Sequence, residues 1–157
     1  GVIAEGEYAQ QADYNGIRIW WANDDVHLYL AMEGDTNGWV SVGINPELGM
    51  KGANYIFGYV ADGEAQVWDA WGQDRTGATH PPDTELGGSD DIVAFAGVEE
   101  DSVTRLEVQI PLDSGDEYDH ALVPGESYPL IVAIGGKDEF NAYHSKYAPG
   151  ELTIIAP

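Results

Sequence analysis

Residues 38–70, GWVSVGINPELGMKGANYIFGYVADGEAQVWDA, decide the fold because they contain two strand-like runs of different character. In the first run Val40, Val42 and Ile44 alternate with the residues between them, the period-two pattern of a strand with one buried face. The second run, residues 55–60, is apolar on both faces. A sandwich strand needs only one apolar face, so the other must be covered by a loop, a partner or a bound apolar molecule.

Short strands and turn signals continue on both sides of this stretch. Residues 16–22 and 26–32 are joined by the turn residues Asn23, Asp24 and Asp25, which predicts a hairpin. Residues 1–15 are interpreted as a leading segment that precedes this hairpin. A convincing amphipathic helix is absent from the sequence pattern, which favours an all-β fold.

The second half of the chain resumes the strand pattern after a long interruption. Residues 71–90 are rich in Gly, Pro, Thr and Asp and are interpreted as an ordered surface loop. Residues 91–98 and 103–112 then predict two strands, the second with Leu106, Val108 and Ile110 inward. The repeated short strands predict one antiparallel β-sandwich domain over residues 1–157.

Residues 127–135, SYPLIVAIG, share the double apolar character of residues 55–60. We expect both strands to lie in the interior of the same sheet, with one face on the core and the other against something outside it. The identity of that outer occupant is the main question about function.

The charge of the chain limits its partners. Six Lys and Arg residues against 28 Asp and Glu residues give a formal net charge of −22. Nucleic acid and anionic membrane surfaces are therefore poor partners, whereas cations and basic proteins are better ones. Because the acids are scattered along the chain, solubility, including solubility in high salt, is an equally ordinary explanation.

Cysteine is absent, which excludes disulfides, thiolate zinc sites, covalent c-type haem attachment and a thiol nucleophile. The sequence contains no apolar run of the ~20 residues that a membrane span requires. The first residues, GVIAEGEY, lack the basic and hydrophobic regions of a signal peptide, so a signal peptide is expected to have been removed.

Four spaced motifs together resemble the DOMON domain, the family of the cytochrome domain of cellobiose dehydrogenase and of the amino-terminal domain of dopamine β-monooxygenase-type proteins. They are residues 38–72, HPPDTELGGSDDI at 80–92, TRLEVQIPLDSGDEYD at 104–119 and IVAIGGKDEFNAYHSKYAPGE at 131–151. The resemblance extends from about Ile17 to Ile155. It implies an immunoglobulin-like β-sandwich, usually outside the cytoplasm (extracellular, cell-surface or periplasmic), that binds haem b or a sugar-like ligand.

The resemblance also implies a pair of haem iron ligands. In the haem-binding branch, the axial ligands are a methionine just before the strand that matches residues 54–60 and a histidine after the last apolar strand. Met50 and His144 occupy these positions. The apolar side chains expected around the porphyrin are Tyr55, Phe57, Ile131, Phe140, Tyr143 and Tyr147.

The physical case for this pair depends on the strand directions. If residues 55–60 and 127–135 run antiparallel, the start of one and the end of the other share an end of the sheet, and Met50 could meet His144. Met and His ligation raises the reduction potential of haem and suits electron transfer. The ordinary alternatives are a gap-filling methionine and a surface histidine.

Acidic clusters form a second, weaker set of candidate ligands. Hard oxygen donors close to a histidine suit calcium or another divalent cation, and they occur at His80, Asp83, Glu85, Asp90 and Asp91. Residues 113–119, DSGDEYD, form a separate candidate through Asp113, Asp116 and Asp119. Turn formation and solvation explain both clusters equally well. Asp69, between Trp68 and Ala70, is interpreted as a hydrogen-bonded turn acid.

Two functions therefore remain open. The first is a b-type cytochrome module that passes single electrons between redox partner proteins or domains. The second is a binding module for a carbohydrate, with or without a cation, in which Trp20, Trp39, Trp68 and Trp71 supply stacking surfaces. Catalytic motifs such as G-x-S-x-G and H-E-x-x-H are absent, so we expect a non-enzyme.

Overall fold

The computed structural model describes residues 1–76 and 79–156. Nearly all of its regular structure is β-strand, with one short helix in the long loop. The elements are β1 (Gln10–Tyr14), β2 (Ile17–Asn23), β3 (His27–Gly34), β4 (Val40–Ile44), β5 (Asn54–Ala61), β6 (Glu64–Trp71), α1 (Asp83–Leu86), β7 (Ala94–Glu100), β8 (Val103–Pro111), β9 (Ser127–Ile134) and β10 (Lys146–Thr153).

The strands form two antiparallel five-stranded sheets. Sheet one has the order β1-β2-β3-β8-β7, and sheet two has the order β10-β9-β4-β5-β6. The inward side chains of both sheets, among them Ile19, Leu30, Val42 and Leu106, form one buried core. The prediction of an all-β antiparallel sandwich is confirmed. The sandwich forms because each sheet buries the apolar face that the alternation of its strands turns inward.

The local predictions are confirmed where alternation is strong. Residues 17–34 form the β2–β3 hairpin with full pairing. In β8, Leu106, Val108 and Ile110 are buried as expected. Asp62 and Gly63 form the β5–β6 turn with positive φ angles of 52° and 80°, which Asp tolerates and Gly adopts freely.

Two of the edge strands were not predicted from the sequence. Residues 10–14, within the predicted leading segment, form the edge strand β1, and residues 146–153 form the edge strand β10. Both signals are weak because β1 is mostly half-exposed and β10 contains Pro149 and Gly150, which are tolerated on an edge. The long loop contains α1, and β7 begins at Ala94. In the described part of the chain, no helix is long and apolar enough to cross a membrane.

The two doubly apolar strands, β5 and β9, lie in the interior of sheet two, as predicted, but they do not run antiparallel to each other. Each is antiparallel to β4, which lies between them, so β5 and β9 point the same way. Ile44 of β4 pairs with Asn54 at the start of β5, and Val40 pairs with Ile134 at the end of β9. The residues before β5 and those after β9 therefore leave opposite ends of the sheet.

Candidate functional site

The outer face of sheet two, turned away from sheet one, carries a packed group of aromatic rings. Phe57 lies at its centre, with ring centroids 4.6 Å from Trp39, 5.0 Å from Phe140 and 6.2 Å from Trp68. Phe57 is only 3% exposed although it points away from the core. We call this group, with its neighbours, the aromatic face; its members are Trp39, Tyr55, Phe57, Tyr59, Trp68, Ala133, Phe140 and Ala142.

Small residues on β4 leave room for these rings. Ser41 and Gly43 pair with Phe57 and Tyr55, so they share the outer face of the sheet. A Cβ atom at Gly43 would lie 2.4 Å from the Tyr55 ring, which excludes any larger residue without displacement of that ring. The alternation of β4 thus puts branched residues into the core and small ones under the aromatic side chains.

Met50 is held at one end of the aromatic face. Its side chain is half-buried and packs against the cluster of Ala53, Tyr55 and Ala70, as does Phe140. Gly72 permits this approach, because a Cβ atom there would lie 2.0 Å from the Met50 carbonyl oxygen. The backbone amide of Met50 donates to the Arg75 carbonyl at 3.2 Å. A thioether is thus fixed beside aromatic rings at the edge of the face.

The segment 135–145, which links β9 to β10, lies over the aromatic face through Phe140. Beyond Phe140 the segment turns outward: Tyr143 is 91% exposed, and His144 is also exposed. The ring of His144 packs against Tyr147, with centroids 4.9 Å apart. The structure therefore places Met50 and His144 in different environments, and their joint ligation of one iron stays a prediction.

The remaining residues predicted to line the haem are divided between buried and exposed positions. Tyr55 and Phe57 are buried, Phe140 is half-buried within the aromatic face, and Ile131 is half-buried on β9 opposite Gly43. Tyr143 and Tyr147 lie outside the buried group, because they are 91% and 59% exposed.

His80 belongs to the aromatic face, which the sequence did not indicate. Its ring lies 5.1 Å from that of Phe140 and 6.1 Å from those of Tyr55 and Phe57. Burial lowers the pKa of His80, so the imidazole is neutral at pH 7. The structure thus separates His80 from Asp91, with which it had been grouped as a cation site, because Asp91 lies at the opposite face of the sheet with Asp69.

Two buried polar atoms of the aromatic face lack hydrogen-bond partners among the described residues. They are Nε1 of Trp39 and the hydroxyl of Tyr55, whose residues are each 4% exposed. Burial raises the pKa of Tyr55, so its hydroxyl stays a neutral donor. Unpaired buried donors are rare and costly in native proteins. Both atoms could donate to the carboxylates of a bound group.

A second group of side chains lies on the inner side of β6. Asp69, Asp91 and Asp119 each offer an oxygen, and these oxygens all lie within 4.8 Å of one another. We call these residues the carboxylate cluster. The sequence had put Asp91 and Asp119 into separate acidic clusters and had interpreted Asp69 as a turn acid. One residue from each group meets here, because the loops before β7 and after β8 converge on the end of β6.

In the carboxylate cluster Asp69 is buried, and Asp91 and Asp119 are half-buried. Burial, followed by repulsion from Asp119, raises the pKa of Asp69 to about 8, and burial raises that of Asp119 to about 6. Asp83 lies nearby with 1% exposure, and burial and the charge of Asp119 raise its pKa to about 8. Among the described residues, none of the ion pairs involves these carboxylates.

The tryptophans proposed as a carbohydrate platform do not share one surface. Trp39 and Trp68 belong to the aromatic face, whereas Trp20 lies on β2 of sheet one, where its Nε1 donates to Gln11. Trp71 packs against His120 with centroids 5.2 Å apart. A stacking platform made of all these rings is therefore absent from the described structure.

Comparison with known proteins identifies the family. The sequence profile of the DOMON domain matches residues 15–135. The chain belongs to the DOMON family. No curated protein matches this DOMON domain in sequence.

Two solved structures with a similar fold are cytochrome domains. The cytochrome domain of Myriococcum thermophilum cellobiose dehydrogenase has a TM-score of 0.60 at 10% identity, covering 92% of this chain and 81% of that chain. The cytochrome b domain of pyranose dehydrogenase from Coprinopsis cinerea has a TM-score of 0.58 at 12% identity, covering 87% and 75%. At such identities the likeness establishes the fold.

Proposed function

We propose that this DOMON domain is a b-type cytochrome module that binds haem b non-covalently on the aromatic face. The single observation that carries the proposal is the aromatic face itself: a buried apolar surface outside the core, with a thioether at its edge and unpartnered donors within it. A sandwich has no need of such a surface for its own core. The similarity to cytochrome domains of dehydrogenases supports the same function.

The donor set of the aromatic face fits haem. Thioether and imidazole groups are ligands of haem iron in cytochromes of the c type, and Met50 and His144 would hold the iron here. The Trp39 indole and the Tyr55 hydroxyl are buried donors that would pair with propionate groups. Bound haem would supply reversible one-electron exchange.

Haem binding requires the segment 135–145 to move away from the aromatic face. Phe140 now packs against Phe57 and occupies the surface that a porphyrin would need. His144 lies only four positions further along the same segment. A displacement that withdraws Phe140 would therefore also reposition the exposed His144. The packing free energy lost when Phe140 leaves the aromatic face would be offset by contacts with the porphyrin. His80, already on the face, is the competing imidazole.

The proposed role is electron transfer to or from a redox partner, without catalysis by this domain. The net charge of −22 would attract a partner with a basic docking surface, and added salt would slow their association. A location outside the cytoplasm is proposed with this role, in keeping with the resemblance to secreted DOMON domains.

Haemin titration followed by visible spectroscopy tests the proposal. The wild-type protein is expected to bind one haemin and, after dithionite reduction, to give the sharp α and β bands of low-spin six-coordinate haem. Met50→Leu and His144→Gln should each abolish the low-spin spectrum, because each removes an axial ligand but keeps side-chain volume. His27→Gln, a change on sheet one, serves as the matched control and should leave the spectrum unchanged.

Two results would overturn this assignment. A wild-type protein without saturable haemin binding would eliminate the cytochrome function. Low-spin haem that survives His144→Gln but disappears in His80→Gln would keep the cytochrome function and transfer the second ligand to His80.

A further inference from the structure

We propose that the carboxylate cluster, together with the side chain of Asn54, is a binding site for a single divalent cation, with Ca²⁺ as the preferred ion. The site lies between the sheets at the end of β6 and is distinct from the aromatic face. It combines ligands from β5, β6 and the two loops that flank the β7–β8 pair.

The spacing of the carboxylates matches the size of a calcium coordination sphere. Ca²⁺ binds oxygen at 2.3–2.6 Å, so two ligands on opposite sides of the ion are separated by up to about 5 Å. The oxygens of Asp69, Asp91 and Asp119 lie within 4.8 Å of one another. The cavity that these residues line with Asn54 has a volume of about 10 Å³, room for a single water-sized sphere.

Asn54 is an independent indication of a ligand. Its side chain lines the cavity, and its Nδ2 donates to Oδ1 of Asp119. Oδ1 of the same amide has no hydrogen-bond partner among the described residues, although Asn54 is only 5% exposed. Oδ1 of Asp69 is likewise unpartnered, with Asp69 4% exposed. Buried oxygens without donors are costly, and a cation satisfies several of them at once.

The carboxylates need either protons or a cation. Both oxygens of Asp119 accept hydrogen bonds, from Nδ2 of Asn54 and from Oγ of Ser114, but neither neutral donor balances the carboxylate charge. Oδ2 of Asp69 accepts from the Asp91 amide at 3.1 Å, which compensates only one of its oxygens. A divalent cation would remove the repulsion without protonation.

The donor chemistry favours calcium over a transition metal. All the proposed ligand atoms are carboxylate or amide oxygens, the donors that hard cations prefer. His120 also lines the cavity, but its Nε2 hydrogen-bonds to the Gly52 carbonyl at 2.6 Å and is therefore not free to bind a metal. Mg²⁺ is the smaller competitor and demands nearly ideal octahedral geometry.

Calorimetric titration of chelator-treated protein with CaCl₂ tests the proposal directly. The background contains NaCl, because a chain with a net charge of −22 also attracts cations non-specifically. We expect one saturable site per chain in the wild-type protein. Asp69→Asn and Asp119→Asn should each weaken Ca²⁺ binding by at least about tenfold. Asp101→Asn, the same change in the exposed β7–β8 turn, is the matched control and should bind as the wild type does.

Thermal unfolding supplies a second readout. Ca²⁺ should raise the melting temperature of the wild type and of Asp101→Asn but not that of Asp69→Asn, because a ligand stabilises only the protein that binds it. Asp69→Asn should fold in chelator, since asparagine keeps the side-chain volume and is uncharged. Wild-type protein without a saturable Ca²⁺ site would overturn the proposal, as would Asp69→Asn and Asp119→Asn variants that bind Ca²⁺ normally. Neither result would bear on haem binding.

Discussion

Three consecutive residues of β6 take part in two very different regions. Trp68 points outward and packs in the aromatic face, and Ala70 points outward and packs beside Met50. Asp69, between them, points inward to Asp91 and Asp119. Among the described residues, the outer region is apolar with two unpaired donors, whereas the inner one holds three carboxyl groups that take part in no ion pair. Side-chain alternation along one strand thus separates two ligand chemistries by the thickness of a sheet.

The two regions should respond in opposite ways to loss of a side chain. In the aromatic face each ring contributes packing, so truncation destabilises the fold. In the carboxylate cluster each charge opposes its neighbours, so a neutral replacement should stabilise the cation-free fold.

The largest effect is expected at the centre of the aromatic face. Phe57→Ala should lower the free energy of unfolding by about 3–5 kcal/mol, because Phe57 is nearly fully buried and contacts several rings. Urea denaturation provides the measurement. Phe95→Ala on β7 is the matched control, since Phe95 is 50% exposed, and should cost less than about 1 kcal/mol. Equal losses in the two variants would contradict a packed aromatic face.

The second effect is a dependence of stability on pH in the presence of chelator. Asp69 and Asp83 have folded-state pKa values of about 8, above the ordinary value of 3.8, so the folded protein binds more protons than the unfolded chain between these limits. The stability that these two raised pKa values contribute is therefore fully present below about pH 4 and is lost as the pH rises towards 8.

Asp69→Asn should remove part of this pH dependence, which corresponds to a change of about 2 kcal/mol in the free energy of unfolding at pH 8. Each pKa unit corresponds to about 1.4 kcal/mol, and the value stays below the full shift because neighbouring acids share the protons. Urea denaturation at a series of pH values measures it, with Asp101→Asn as the control. A wild-type stability that rises from pH 4 to pH 8 in chelator would show that the buried acids are compensated in another way.

The smallest effect is expected where the segment 135–145 meets the aromatic face. Phe140→Ala should lower the free energy of unfolding by only about 1 kcal/mol, because Phe140 is half-buried and lies outside the strands. The same variant should take up haemin faster than the wild type in stopped-flow measurements, since the surface is already open. Slower uptake would indicate that Phe140 helps to hold the porphyrin.

The sequence was sufficient for the sandwich and for the aromatic face, because both follow from alternation within single strands. The apolar residues on both faces of 55–60 and 127–135 predicted a second apolar surface, and Phe57 lies at the centre of that surface. The direction of β9 relative to β5 could not be predicted, since it depends on the insertion of β4 between them. The edge strands β1 and β10 were missed because exposed edges require little apolar patterning, although the edge strands β6 and β7 were predicted.

The positions of His80 and of the carboxylate cluster also lay beyond sequence reasoning. Both positions are set by loops that fold back onto the ends of sheet two, and local sequence periodicity does not predict such contacts. Asp69, Asp91 and Asp119 are distant in sequence and meet only in the folded chain. The available signal was Asp69 itself, an acid on the inward side of a strand, where burial requires a partner.

The most direct test of the account is a double titration of one sample with haemin and Ca²⁺, followed by absorption of the reduced haem and by calorimetry. We predict that Met50→Leu abolishes the low-spin α band and binds Ca²⁺ normally, whereas Asp69→Asn loses Ca²⁺ binding and keeps the α band. A protein that binds neither ligand, or variants that lose both together, would contradict the assignment of two independent sites to opposite faces of β6.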